Sequence, residues 1–299
     1  MVKLETGVLA TPGRYSIHFE YHYNVGAKKT VVMVNGALAT TTSFSQTIRN
    51  FKDHANIVLF DLPFAGRSRD LNRHASGILS KDDEVEILLY LIEYFEVHFI
   101  VSASWGGVAT LLSLTQRPPS IEKAVIRSFS PVINDAMHKY MVDARQFLRD
   151  GDIAGGAELL NRTVGKYLPR LLKTHNHQYL LSVIRGNEPQ ILFHIDQIFH
   201  LERWKYIDQF ASIDVPILFV NGALDEYTTA NDARSLSKHI RRSQFAVIPE
   251  AGHFLELEGS RVRRATGVIE RKFLFGNDPI IESLGMNRTS DECFYQASC

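Results

Sequence analysis

The stretch Phe99-Ile-Val-Ser-Ala-Ser-Trp-Gly-Gly-Val-Ala-Thr-Leu-Leu112 places a serine between two apolar runs. The first run is short and continuous, which predicts a strand buried on both faces, and the second predicts a helix that begins at Trp105. Ser104 therefore lies in a sharp turn from strand to helix, the position of a nucleophile elbow. Ser102 and Gly106 flank it, so the pattern is S-x-S-x-G where the strict motif is G-x-S-x-G. The alternative is that Ser104 only caps the helix.

Strands and helices alternate over most of the chain. Continuous apolar runs predict further buried strands at residues 30–34, 57–60, 124–126 and 217–220. Aromatic and polar residues alternate from Tyr15 to Tyr23, as in a half-buried strand. Ser80 precedes three acidic residues and an apolar repeat, which predicts a capped helix, and another helix is expected near Ala230. This alternation predicts an α/β fold with a mostly parallel, doubly wound sheet.

The alternation stops between Pro131 and Ile207, where only helical spacing is found. A helical insertion between two strands of such a sheet is typical of a cap over the edge where ligands bind. We therefore divide the chain into a core, formed by residues 1–131 and 208–275, and a helical cap, residues 132–207. Residues 276–299 lack periodicity and are predicted to form a flexible tail.

Two later segments complete a catalytic triad in the chain order serine, acid, histidine. Asp225 follows the last of the buried runs, and His253 lies in a glycine-containing loop after another short strand. A serine hydroxyl needs a base within hydrogen-bond reach, and the base needs an acid to orient it. Glu226 is an alternative acid. Asp225 is preferred because it comes first after the strand.

Acyl transfer through a serine also needs two N–H donors for the oxyanion. One donor is expected at Trp105, directly after the serine, and the other at Ala37, in the loop after a predicted strand. The alternative for the Asn35-Gly36 segment is a plain turn. No Cys and His residues have metal-ligand spacing, so we predict neither a metal nor another resident cofactor.

The charges of the chain are balanced, with 33 Lys and Arg residues and 33 Asp and Glu residues. The chain therefore lacks the positive field that attracts nucleic acid or an anionic membrane, and we expect neither partner. No apolar run reaches the ~20 residues of a transmembrane helix or has the pattern of a secretory signal. The only two cysteines, Cys293 and Cys299, are too close to the end to cross-link the core. These features predict a cytoplasmic protein.

Eight segments together resemble one family of acyltransferases. They are NGALATT (35–41), LFDLPFAGRSR (59–69), SKDDEVEILL (80–89), SASWGG (102–107), GKYLP (165–169), FHIDQ (193–197), NGALDEYTT (221–229) and AGHFLELE (251–258). From about Gly7 to Phe275 the chain resembles the RhlA-type synthase of the rhamnolipid pathway and its close relative, the PhaG-type 3-hydroxyacyl-carrier-protein transacylase or thioesterase. The resemblance implies the α/β-hydrolase fold, with Ser104, Asp225 and His253 as the triad.

The resemblance also implies (R)-3-hydroxyacyl thioesters of acyl carrier protein or CoA as substrates. In the synthase reaction, which the motifs favour, a second hydroxyacyl unit attacks the acyl-serine and gives 3-(3-hydroxyalkanoyloxy)alkanoic acid. This product is the lipid precursor of rhamnolipids and passes to a glycosyltransferase. In the transacylase or thioesterase reaction, the acceptor is a thiol or water. A plain esterase or lactonase and a non-catalytic ligand-binding protein on the same fold are further alternatives.

Two sets of residues in the predicted cap are candidates for substrate binding. A basic set recurs at helical spacing in a stretch without acids and can bind an acidic carrier protein or the phosphates of CoA. It consists of Arg162, Lys166, Arg170 and Lys173. A second set, apolar in character, can line a channel for fatty chains and consists of Phe193, Ile198, Phe199 and Trp204. The alternatives are a solvated helix face for the first set and simple core packing for the second.

Overall fold

The computed structural model describes residues 2–75, 78–203, 206–276 and 295–297. Within these ranges nine strands are present: β1 (Val2–Ala10), β2 (Ser16–Asn24), β3 (Thr30–Val34), β4 (Asn56–Phe60), β5 (Phe99–Ala103), β6 (Lys123–Arg127), β7 (Ile217–Gly222), β8 (Ser243–Ile248) and β9 (Tyr295–Ala297). They form one sheet in the order β1-β2-β4-β3-β5-β6-β7-β8-β9. The six strands from β4 to β8 in this order are parallel. The predicted doubly wound, mostly parallel sheet is confirmed.

The antiparallel strands lie at the two edges of the sheet, and two of them were not predicted. β1 pairs with β2 over nine residues, although most of its side chains are exposed, Leu4 and Val8 included. A strand with so little burial has no hydrophobic alternation to reveal it. β9 pairs with β8, in the segment predicted to be a flexible tail. The rest of that tail, residues 277–294 and 298–299, lies outside the described residues.

Nine α-helices lie within the described ranges: α1 (Ser45–Phe51), α2 (Lys81–Tyr94), α3 (Gly106–Thr115), α4 (Asp135–Arg149), α5 (Ile153–Arg162), α6 (Arg170–Ile184), α7 (Glu188–Arg203), α8 (Ala230–Arg234) and α9 (Ser260–Phe275). The predicted cap of α2 is confirmed, because Ser80 and Asp83 form a capping box. The predicted helices after Ser104 and near Ala230 are also confirmed, as α3 and α8.

The central strands divide the interior into two layers. In β3, Val32 and Val34 pack on one face of the sheet, and Val31 and Met33 pack on the other, all of them buried. Helices α2, α3 and α8 cover the first face, and helices α1 and α9 cover the second. Burial on both faces explains why these strands are apolar throughout, and it fixes the register of the sheet.

Helices α4 to α7 form a separate layer between β6 and β7 in the chain. They enclose a small core of their own, consisting of Leu148, Ala157, Leu180, Ile184, Ile191 and Ile195. Since β6 and β7 are hydrogen-bonded neighbours, the chain leaves the sheet and returns to it at adjacent positions. Among the described helices, none has the length and apolar character needed to cross a bilayer.

Candidate active site

Ser104 lies in the sharp turn between β5 and α3. Its φ angle is 50°, in the left-handed region that costs a non-glycine residue about 1 to 3 kcal/mol. The turn is held by its N–H, which donates to the Arg127 carbonyl at 2.8 Å. A Cβ atom on Gly106 would lie 2.4 Å from the Asn35 carbonyl oxygen, so only glycine fits there. Ser102, at the position of the motif's first glycine, is fully buried with an unpartnered hydroxyl among the described residues.

The three residues of the predicted triad are in hydrogen-bonding contact. Nε2 of His253 lies 3.1 Å from Oγ of Ser104, and Nδ1 of the same ring lies 2.8 Å from Oδ2 of Asp225. Both His253 and Asp225 are buried. Glu226, the alternative acid, points away and pairs with Lys166 at 2.9 Å in an exposed position. The geometry therefore selects Asp225 as the acid that orients the imidazole.

Asp225 is held as a carboxylate by its neighbours. Oδ1 accepts hydrogen bonds from the N–H groups of Tyr227 and Thr228, at 2.9 and 3.1 Å, and Oδ2 accepts one from the Thr228 hydroxyl at 2.6 Å. Burial raises the pKa of Asp225, but His253 and the Thr228 donors outweigh it, so the pKa is lowered. The acid therefore stays ionised over the whole range in which a histidine can act as a base.

The loop that carries His253 is fixed from two sides. The Ser128 hydroxyl donates to the His253 carbonyl at 2.6 Å. Gly222, at the end of β7, packs directly against the loop, since a Cβ there would lie 2.1 Å from the Gly252 carbonyl oxygen. Two N–H groups of the loop, those of Gly252 and Phe254, donate to the carboxylate of Glu258. The imidazole is thus positioned by its backbone as well as by Asp225.

The residues predicted to supply the oxyanion donors, Trp105 and Ala37, line the same cavity as Ser104. Trp105 directly precedes α3, and Ala37 lies in the loop after β3, which packs against the elbow because Gly36 has no side chain. Among the described residues, neither backbone N–H donates to another protein group. Leu38 follows with a φ angle of 61°, and its carbonyl accepts a 2.5 Å hydrogen bond from the hydroxyl of Tyr179, a cap residue. The cap therefore holds the loop that carries Ala37, one of the two predicted oxyanion donors.

The triad opens into a cavity of about 300 Å³ between the core and the cap. Its walls are mainly apolar and come from the β3 loop, the elbow, the His253 loop and the four cap helices α4 to α7. The cap contributes Met137, Tyr140, Met141, Leu160, Val164, Asn176, Tyr179, Leu180 and Ile198. Such a shape suits a flexible apolar chain whose reacting end lies at Ser104.

Of the apolar set predicted for the channel, Ile198 lines this cavity. Phe199 lies on α7 but packs against His138 and Arg145 within the cap. Phe193 is also absent from the cavity wall. The prediction was wrong for these two phenylalanines because the helix buries two different faces, one against α4 and one against the cavity. Trp204 lies outside the described residues.

The basic set does not form a stripe on one helix. Arg162 ends α5, Lys166 lies in the turn that follows, and Arg170 begins α6. Lys166 is paired with Glu226, and Nζ of Lys173 donates to the Lys166 carbonyl at 2.7 Å. The helical spacing in the sequence crosses a turn, so the predicted stripe was wrong.

Two buried charge networks adjoin the site. Arg127, at the end of β6, donates to Glu270 at 2.5 and 2.6 Å and pairs with Glu256 at 2.7 Å. These three residues link the elbow, the His253 loop and α9. Burial lowers the pKa of Arg127, but the two carboxylates outweigh it and the pKa is raised. Burial also raises the pKa of Glu270, although Arg127 opposes this.

The second network lies behind the Trp105 ring and joins the core to the cap. Nζ of Lys81 lies 3.9 Å from the centre of that ring and 2.6 Å from Glu84. From α7, Nε2 of His194 lies 3.6 Å from Glu84 and accepts a 2.7 Å hydrogen bond from Gln190. Burial lowers the pKa of His194 to about 4, with Lys81 adding to the effect and Glu84 opposing it.

Sequence reasoning missed three residues that hold the site: Ser128, Thr228 and Tyr179. Thr228 had a local signal, since it lies three residues after Asp225, a spacing at which a side chain reaches back to an Asx-type turn. Ser128 and Tyr179 had none. Their partners are 125 and 141 residues away in the chain, and only the folded sheet and cap bring them together.

Residues 29–260 match the family described as the alpha/beta hydrolase fold. The chain therefore belongs to the α/β-hydrolase family. It is 42% identical over 270 residues to the (R)-3-hydroxydecanoyl-ACP:CoA transacylase of Pseudomonas putida, covering 90% of this chain and 91% of that protein. The protein of the same name from Pseudomonas aeruginosa is 43% identical over 254 residues, which cover 85% of this chain and 84% of that protein. The two matches cover 85 to 90% of this chain.

Among solved structures, the enol-lactonase from Burkholderia xenovorans superposes with a TM-score of 0.74 at 16% identity, covering 90% of this chain and 99% of that chain. At this identity the similarity shows the fold alone.

Proposed function

We propose that the protein is an acyltransferase that moves an (R)-3-hydroxyacyl group between thioesters, from acyl carrier protein to CoA, through an acyl-Ser104 intermediate. The observation that carries this proposal is the hydrogen-bonded chain Ser104–His253–Asp225 at the end of an apolar cavity. The choice of substrate is supported by the relatives from Pseudomonas putida and Pseudomonas aeruginosa, whose names state this transacylase activity.

In the first half-reaction, Oγ of Ser104 attacks the thioester carbonyl carbon while its proton passes to Nε2 of His253. The resulting oxyanion accepts hydrogen bonds from the N–H groups of Trp105 and Ala37. The C–S bond then breaks, and the departing thiol takes the proton from His253. Asp225 stabilises the imidazolium that exists between these two transfers.

The second half-reaction is the reverse of the first with a different thiol. His253 removes the proton of the CoA thiol, the sulfur attacks the acyl-Ser104 carbonyl, and the proton returns to Oγ of the serine. Hydrolysis by water competes at this stage. The apolar walls and the covering cap helices lower the chance that water reaches the ester.

The synthase reaction that the motifs favour uses the same acyl-enzyme but a different acceptor, the 3-hydroxyl of a second hydroxyacyl unit. It stays a prediction, as do the rhamnolipid pathway, the downstream glycosyltransferase and the cytoplasmic location. The thiol is favoured as acceptor by the relatives from Pseudomonas putida and Pseudomonas aeruginosa, whose names state an ACP:CoA transacylase activity.

The test is to incubate the protein with (R)-3-hydroxydecanoyl acyl carrier protein and CoA and to identify the products by mass spectrometry. We expect 3-hydroxydecanoyl-CoA. A dimeric ester would support the synthase instead, and free 3-hydroxydecanoic acid alone would support a thioesterase. Ser104→Ala should abolish all three products. Ser102→Ala is the matched control, because it removes a buried hydroxyl two residues away that touches no reacting atom. Retained activity in Ser104→Ala would end the proposal.

A further inference from the structure

A groove rich in arginine lies between α1 and α9, apart from the catalytic cavity. It has a volume of about 290 Å³, and its walls come from Gln46, Arg49, Asn50, Ser260, Arg263, Arg264 and Arg271. Four guanidinium groups line it, and among the described residues no carboxylate does. Gly267 lets the two helices approach closely, since a Cβ there would lie 2.6 Å from the side-chain nitrogen of Asn50. The groove is therefore a concave, strongly positive site.

Both walls of the groove continue directly from walls of the catalytic cavity. Phe44 lines the cavity and Gln46 lines the groove, and Leu257 lines the cavity and Ser260 the groove. Three residues span at most about 11 Å even when fully extended. The groove thus begins close to the cavity, on the flank formed by α1 and α9, and runs along α9 towards Arg271.

The chemistry of the groove fits several phosphate groups on one small molecule. Arginine donates paired hydrogen bonds to phosphate oxygens, and its charge persists at all working pH values. Four such groups match the three phosphates of CoA, two in the diphosphate and one on the ribose. Acyl carrier protein, by contrast, is a whole acidic domain. A narrow cleft between two helices is poorly shaped to bind a domain of that size.

Two of the basic residues of the cap are already bound to other groups. Lys166 is neutralised by Glu226, and the ammonium of Lys173 is bound to a backbone carbonyl. Arg49, Arg263 and Arg264, by contrast, take part in no ion pair within 4 Å among the described residues. Guanidinium groups gathered in a cleft without acids repel one another, and a polyanionic ligand removes this repulsion.

We propose that this groove binds the 3′-phosphate and diphosphate of CoA, while the flexible pantetheine arm extends from it into the cavity towards Ser104. The proposal rests on the proposed function, because it supplies the acceptor's binding site. It explains how a chain whose net charge is zero can select a polyanionic substrate. The phosphates are held away from the apolar cavity, and the thiol alone enters it.

The experiment compares two acceptors that differ only in the phosphate-bearing part, CoA and pantetheine, with (R)-3-hydroxydecanoyl acyl carrier protein as donor. In Arg263→Ala and Arg264→Ala, we expect KM for CoA to rise roughly tenfold each, because a charge-assisted hydrogen bond is lost. KM for pantetheine and kcat with either acceptor should stay unchanged. Arg241→Ala, an exposed arginine before β8, is the matched control and should alter neither KM.

Equilibrium binding separates this proposal from the proposed function. Wild-type protein should bind adenosine 3′,5′-bisphosphate in a calorimeter, and Arg263→Ala should bind it roughly tenfold more weakly. If the calorimeter gives this binding result but no acyl transfer occurs, the groove proposal is supported and the transacylase proposal is wrong. If transfer occurs but the variants use CoA as the wild type does, the groove proposal is wrong. It is equally wrong if the variants raise KM for acyl carrier protein with both acceptors, since the groove would then dock the carrier protein.

Discussion

At the scale of single residues, Ser104 has an unusual backbone that its neighbours enforce. Its left-handed φ is stabilised because the Arg127 carbonyl accepts its N–H and because Gly106 lets α3 start against the Asn35 carbonyl. The strain holds the hydroxyl above the sheet and next to His253 before any substrate binds. A preorganised nucleophile needs no rearrangement on the way to the transition state.

Asp225→Asn tests the role of the acid. The amide cannot accept the His253 Nδ1–H as a carboxylate does, so the imidazole loses its orientation and its charge partner. We expect kcat for acyl transfer to fall by roughly 10⁴-fold with KM changed little. Steady-state kinetics on the purified variant measures this. Glu226→Gln is the matched control. A larger loss of kcat in Glu226→Gln than in Asp225→Asn would show that Asp225 is not the acid.

At the scale of elements, the cap helices act on the oxyanion site. Tyr179 on α6 donates to the carbonyl of Leu38, directly after the predicted donor Ala37. Burial raises the pKa of Tyr179 to about 12, so its hydroxyl keeps its proton at working pH. Because the cap is hydrogen-bonded to the β3 loop in this way, its position is coupled to the geometry of the predicted oxyanion hole.

Tyr179→Phe removes that hydrogen bond and leaves the ring in place. Because a neutral hydrogen bond contributes about 1 kcal/mol, we expect kcat to fall roughly three- to tenfold while KM stays within about twofold. The kinetic comparison with Tyr94→Phe, an exposed tyrosine on α2, provides the control. An unchanged kcat, or a change in KM alone, would show that the hydrogen bond from Tyr179 to Leu38 only helps to hold the cap against the core.

The element scale also shows why some features could be predicted from the sequence and others could not. Strands buried on both faces, such as β3 and β5, can be recognised because their sequences are apolar throughout. The capping box at Ser80 can be recognised from its own residues in the same way. The triad could be found because each member follows a strand in a fixed chain order. The contact between Tyr179 and Leu38, and the face that α7 turns to the cavity, depend on tertiary packing. No local pattern reports such packing, which is why Ile198 and Phe199 were both selected although only Ile198 lines the cavity.

At the scale of the whole molecule, the Arg127 network stabilises the fold through buried charge. Removing Glu270 leaves the buried guanidinium with fewer partners, and breaking a buried pair typically costs about 3 to 5 kcal/mol. We therefore expect Glu270→Ala to lower the free energy of unfolding by about that amount in urea denaturation. Glu250→Ala breaks the exposed pair with Arg261 and should cost no more than about 1 kcal/mol. Equal losses in the two variants would contradict this account.

The stability of the whole molecule should also depend on pH through His194. Its pKa is about 4 in the folded protein, below the ordinary value of about 6.5 that it regains on unfolding. Between these values the unfolded chain binds a proton that the folded protein does not, so stability falls as the pH falls. The contribution is up to about 3 kcal/mol between about pH 7 and pH 4.

The measurement is the difference in unfolding free energy between those two pH values, from urea denaturation. His194→Gln should show a smaller difference than the wild type, whatever its absolute stability, because no imidazole remains to titrate behind Trp105. His175→Gln, which replaces an exposed histidine of α6, serves as the reference and should keep the wild-type difference. An identical pH dependence in His194→Gln would rule out this histidine as its source.

The place where α4 to α7 leave the sheet has an evolutionary consequence. Because β6 and β7 are hydrogen-bonded neighbours, the two ends of this insertion emerge side by side, and the strands would keep their alignment whatever sequence joined them. Natural variation can therefore lengthen, shorten or exchange the cap helices α4 to α7 while Ser104, His253 and Asp225 keep their positions. Chimeras that join the cap of one relative to the core of another are therefore the direct way to change which length of acyl chain the cavity prefers.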